Sequence, residues 1–121
     1  MPLNKVALRN RFVKEATFLR RFLDAAGSKT KIQHLLHIST HHQLVCLVLL
    51  VGAIAGGDIP VSSECIQKLK RSKKFGPIKR QFEYDKDVAE LKRGDREKLL
   101  RALSKIKSAL PELVACLFDK E

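Results

Sequence analysis

Between Leu44 and Ala55 every residue is apolar except Gly52. The length of this run decides what it can be. A membrane-crossing helix needs about 20 apolar residues, and this run has 12. A helix of that length with no polar face is stable only when other helices enclose it, because each exposed side would forgo its burial in the core. The expected fold follows: an all-α, compact single-domain bundle of five to seven helices around a buried central helix at about residues 41–56. Residues 1–121 are read as one basic helical domain, long enough to bury most of its apolar surface.

The flanking sequence supplies the enclosing helices. Val6, Leu8, Phe12, Val13, Ala16, Leu19, Phe22, Leu23 and Ala26 recur at steps of three and four, which predicts an amphipathic helix over residues 5–26, with Gly27 as its left-handed stop. Ser28 or Thr30 can cap a short helix that holds Ile32, Leu35 and Leu36 on one side. Thr40 followed by Gln43 has the form of a capping box, so the central helix should begin at His41 and end at Gly56-Gly57. Ser62 or Ser63 can cap a fourth helix with Cys65, Ile66 and Leu69 inward. Asp95 is placed to cap a last long helix bearing Leu99, Leu100, Leu103, Ile106 and Leu110, which Pro111 should break or kink. No strand alternation, repeat or low-complexity segment is present.

Cys46, Cys65 and Cys116 are odd in number and widely spaced, with two of them inside apolar runs. Buried thiols in a reducing, intracellular compartment are therefore expected. No secretory leader is expected either, since residues 1–21 scatter six basic side chains among apolar ones.

Charge gives the functional lead. The net charge is +11, and residues 68–80 hold seven of the positive charges, Lys68, Lys70, Arg71, Lys73, Lys74, Lys79 and Arg80, with no acidic residue. The other 108 residues are then about +4 (11 minus 7). An uncompensated field of this kind meets phosphate, a nucleic-acid backbone or an anionic surface; the bland alternative is a solvated lysine-rich helix. Arg9, Arg11, Lys14, Arg20 and Arg21 form a second basic surface, and Arg20 and Arg21 join the tract as candidate nucleic-acid contacts. Lys92, Arg93, Arg96, Lys98, Arg101, Lys105 and Lys107 form a third. Whether these surfaces share a face is open at this level. With no tryptophan and one tyrosine, the chain lacks a stacking platform for single strands, which favours duplex backbone or RNA-shape binding; DNA is the nucleic acid expected ahead of RNA.

Other chemistry is poorly supplied. His34, His37, His41 and His42 lie close together, and Cys46 follows His42 by one helical turn, a spacing that zinc can use. The Ser39-Thr40 boundary divides the set, and no paired-cysteine signature accompanies it, so no metal or other cofactor is assigned. There is no glycine-rich phosphate loop or nucleophile elbow, and the carboxylates sit among lysines and arginines. The chain is read as no enzyme.

The order of Gln43, a leucine-rich helix, Gly57-Asp-Ile-Pro-Val-Ser62, then Leu69-Lys-Arg71, Lys73-Lys74 and Ile78-Lys-Arg80 resembles small basic proteins of Polinton-like and adintovirus-like DNA elements, over roughly residues 15–82. The resemblance implies a virion-associated or genome-condensing role, in the nucleus or the virion. The leading expectation is sequence-independent duplex DNA binding by a packaging or core protein of a DNA virus or mobile element. The alternative is a helical scaffold whose basic face docks an acidic viral structural protein and whose apolar helices form a homo-oligomer. Membrane-surface binding by the cationic helix at residues 5–26 ranks below both.

Overall fold

The computed structural model describes residues 5–55, 62–65, 67 and 96–118. Among them the chain is helical without a strand: α1 (Lys5–Lys14), α2 (Ala16–Asp24), α3 (Lys29–Ile38), α4 (His41–Ala55), α5 (Arg96–Lys105), a 3₁₀ turn (Lys107–Ala109) and α6 (Leu110–Phe118). The all-α expectation holds, and no helix among the described residues is long and apolar enough to cross a membrane.

The caps form as the local sequence dictates. The Thr40 N–H donates to Gln43 Oε1 at 2.9 Å while the Gln43 N–H donates to Thr40 Oγ1 at 3.1 Å, the reciprocal capping box that starts α4. Ser28 Oγ accepts from the Lys31 N–H at 3.3 Å, so Ser28 is the cap of α3. Ser62 Oγ likewise accepts from the Cys65 N–H at 3.2 Å at the helical turn Ser63–Cys65. Gly27 carries φ +86° between α2 and α3. Glycine is required there by the backbone angle alone, because a Cβ would meet nothing within 4 Å.

α4 is the centre. Leu44 to Val51 are all buried, each at 2% exposure or less, and α1, α5 and α6 pack around the helix. α2 lies along α6, with Phe18 and Phe22 edge to face at 5.4 Å between ring centroids. α3 folds back from α2 and packs on α5 and the 3₁₀ turn. Leu99, Leu103, Ile106 and Leu110 are buried as the stripe predicts, whereas Leu100 is half-buried at its edge.

Three expectations need correction. The helix over residues 5–26 bends at Glu15 (φ −96°, ψ 17°), although the Glu15 N–H still reaches the Arg11 carbonyl at 3.0 Å and the Leu19 N–H the Glu15 carbonyl at 2.9 Å. No proline or glycine causes this bend; Glu15 faces His42 on α4, a tertiary contact without a local signal. The second break comes at Ile106 (φ −115°, ψ 17°), upstream of Pro111. Pro111 sits in the first turn of α6, where its missing N–H removes no helical bond.

The third correction concerns the cysteines. Cys65 and Cys116 form a disulfide, with Cα atoms 5.9 Å apart across 51 residues of chain, and Cys46 alone is a free, buried thiol. Free thiols throughout are therefore not what the fold holds. Packing brings Cys65 onto α6, and chain spacing gave no sign of that approach.

Candidate nucleic-acid interface

The strongest sequence candidates, Lys68, Lys70, Arg71, Lys73, Lys74, Lys79 and Arg80, lie outside the described residues, as do the turn at residues 57–61 and the cap Asp95. Cys65 precedes Lys68 by three residues and is fastened to Cys116, two residues before Phe118 on α6. Over the Phe118 ring lies the Arg20 guanidinium, 4.7 Å from its centroid.

Arg20 and Arg21 are both exposed but diverge, as neighbours on a helix must. Arg20 turns to α6, and Arg21 turns to α3. α3 reads Lys-Thr-Lys-Ile-Gln-His-Leu-Leu-His-Ile and carries no acidic residue. Ile32 and Leu36 anchor it in the core, which sends Lys31 and Leu35 to the flank facing α2, and Gln33 and His37 to the flank facing α5.

Both flanks are occupied. On the α2 side, Arg21, Asp24 and Ala25 from the end of α2 and Thr30, Lys31, His34 and Leu35 from α3 line an open groove of about 520 Å³. On the α5 side, the Gln33 amide donates to Ser104 Oγ at 3.1 Å and to the His37 ring Nε2 at 3.1 Å, while Lys107 Nζ donates to Gln33 Oε1 at 3.4 Å. Arg96 Nη2 donates to the His37 carbonyl at 2.8 Å and so closes the C-terminal end of α3 with a cation, where the helix dipole favours one.

The outcome is a cationic band across three helices. Arg20 and Arg21 lie on α2, Lys31 on α3, and Arg96 on α5 with Lys107 just after it, with Asp24 as the carboxylate these contacts place among them. Residues of the second and third basic surfaces thus reach α3 on its two flanks, Arg21 beside the groove and Arg96 and Lys107 through hydrogen bonds. Lys31, which lines the groove with Arg21, was not among the residues nominated from charge. Its signal was the absence of any acid from residues 29–38.

Arg11 does not belong to this surface. It is half-buried, and its Nη2 donates to His42 Nδ1 at 3.1 Å and to the His42 carbonyl at 3.4 Å. On the other side of the ring, Nε2 lies 3.7 Å from Glu15 Oε1. The histidines are thus dispersed: His34 on the groove, His37 on Gln33, His42 between Arg11 and Glu15. Among the described residues, no three His, Cys, Asp or Glu side chains are placed to share a metal ion.

Beneath Arg11, burial pushes the Cys46 thiol up from 9.0 to about 12, with Arg11 pulling against the rise and Glu15 adding to it. Between those values the native state keeps a proton that the unfolded chain has released. The stabilisation is complete below pH 9 and falls as pH rises through the window from 9 to about 12, by about 1 kcal/mol per pH unit. Urea unfolding between pH 8 and 11 should show this alkaline loss in the wild type and a flatter limb in Cys46→Val. Parallel limbs would contradict it.

No known protein family matches this chain, and neither a curated protein nor a solved structure is found similar to it.

Proposed function

We propose that this protein binds nucleic acid without reading base sequence, gripping the phosphate backbone of duplex DNA. The basic side chains around α3 are the observation that carries this reading: Arg21 and Lys31 line the groove on its α2 flank with Asp24, Arg96 and Lys107 bond its α5 flank, and Arg20 on α2 lies over the Phe118 ring. Phosphates follow one another every ~1.7 Å along a duplex axis, so a band two interhelical spacings wide, about 18 Å, can meet several at once. The band presents cations and amide groups with no open aromatic face, since Phe118 already carries Arg20. That composition holds a backbone and leaves the bases unread. The tract at residues 68–80 adds seven further charges to the chain. Compaction of a genome inside a virion or a mobile element's particle is the role such a binder fits, and the resemblance over residues 15–82 agrees with it.

The test is fluorescence anisotropy on a random-sequence duplex over a range of salt. Neutralising Arg20, Arg21 and Lys107 to Gln should make the log–log salt slope shallower by about 3, close to one unit per lost phosphate contact. Circular dichroism shows that the fold is kept. Absence of binding at low salt, or an unchanged slope, would overturn the reading and leave the basic face to an acidic protein partner.

A further inference from the structure

The groove between α2 and α3 differs from the rest of the band. Elsewhere the cations also contact neutral neighbours: Arg20 the Phe118 ring, Arg96 the His37 carbonyl, Lys107 the Gln33 amide oxygen. In the groove, Arg21, Lys31 and His34 border a concavity of about 520 Å³ whose base is the buried Ala25 and the half-buried Leu35. That volume lies in the range of small-ligand sites, about 300–1,000 Å³. An apolar base under a cationic rim suits a ligand with one flat, weakly polar part and one anionic part.

The charge balance narrows the ligand further. Arg21 and Lys31 bring two formal positive charges to the groove, and Asp24 brings one negative charge. A phosphomonoester of about −2 is matched by these two cations, whereas the additional charges of a polyphosphate meet no further Lys or Arg in the groove lining. The Asp24 carboxylate accepts hydrogen bonds and repels bare anions, so it selects for a ligand that brings N–H or O–H donors beside its phosphate. A sugar hydroxyl or an exocyclic base amine supplies them. The Thr30 hydroxyl, on the same rim, can donate to a phosphate oxygen.

We infer that this groove takes one nucleoside monophosphate unit, with its phosphate toward Arg21 and Lys31, its base over Ala25 and Leu35, and its donors toward Asp24. The inference builds on the nucleic-acid reading by naming what one corner of the band holds. The unit comes either as a free mononucleotide or as an unpaired terminal nucleotide of a strand, and both present the same chemistry.

The experiment is a ¹⁵N-resolved NMR titration of the full chain with AMP, adenosine, inorganic phosphate and ATP. AMP should shift the amides of Ala25, Thr30, Lys31, His34 and Leu35, and should bind at least tenfold more tightly than adenosine or phosphate. ATP should bind no more tightly than AMP. Leu35→Glu, which puts a carboxylate into the base of the groove, and the milder Lys31→Gln should each weaken AMP at least fivefold while the remaining spectrum is retained. A duplex with a one-nucleotide 5′-phosphorylated overhang separates the two sources. Tighter binding than to the blunt duplex, lost in Leu35→Glu, identifies a strand end, and equal binding identifies the free nucleotide. AMP binding no better than phosphate, or shifting residues away from the groove, would overturn the inference. The duplex salt slope of the Arg20, Arg21 and Lys107 variant is read separately, so failure of the groove and failure of the band are distinguishable.

Discussion

Reduction of the Cys65–Cys116 disulfide is expected to lower the stability of the protein by about 4 kcal/mol, the chain-entropy value for releasing a closed loop of this size. The bond spans 51 residues, nearly half the chain, and joins the turn Ser63–Cys65 to α6. In the unfolded state it denies those residues the freedom to separate, and that constraint disappears with the bond. Urea unfolding with and without dithiothreitol measures the effect. The Cys65→Ser, Cys116→Ser double variant should match the reduced wild type and ignore the reductant. Cys46 is buried at 0% exposure on α4, with its thiol held protonated, so thiol exchange with it does not complicate the comparison. A wild-type midpoint that is the same with and without reductant would refute the expectation.

An effect at least as large is expected from the centre of α4. Leu50 is fully buried, and α4 is packed by α1, α5 and α6. Leu50→Ala leaves a cavity that walls on several sides cannot all move to fill, and should cost about 3–5 kcal/mol. Leu50→Asp adds an unpaired charge in an apolar site, a penalty of several kcal/mol beyond the lost packing. Since small domains are stable by about 5–15 kcal/mol, that variant should show no cooperative thermal transition. Circular dichroism melts of both variants check this. A Leu50→Asp protein that melts cooperatively near the wild-type temperature would mean that α4 is not the enclosed helix described.

What the sequence made legible was local. The Thr40–Gln43 box, the Ser28 and Ser62 caps and the stop at Gly27 each depend on atoms within a few residues of one another. The buried run in α4 was legible because a helix apolar on all sides has no other stable environment. The bend at Glu15 was hidden because its contact, His42, lies on another helix. Pro111 pointed to a break in the wrong place, since proline tolerates the first turn of a helix as readily as it ends one.

The candidate site was half legible for the same reason. Arg20 and Arg21 could be nominated from charge alone, but their assignment to different neighbours, α6 and α3, required the packing order of the helices. Lys31 was overlooked because two lysines in a ten-residue helix mean little until Arg21 lies across from one of them. Arg11 was counted as surface, although its position on α1 turns it to His42.

The disulfide has a topological result as well as an energetic one. Together with the backbone from residue 65 to residue 116 it makes a covalent ring. A protease that cuts once inside that ring opens a circle and releases no fragment. The two ends stay on one molecule, one continuous with α4 and the other with α6, and the cut shows on a gel only after reduction.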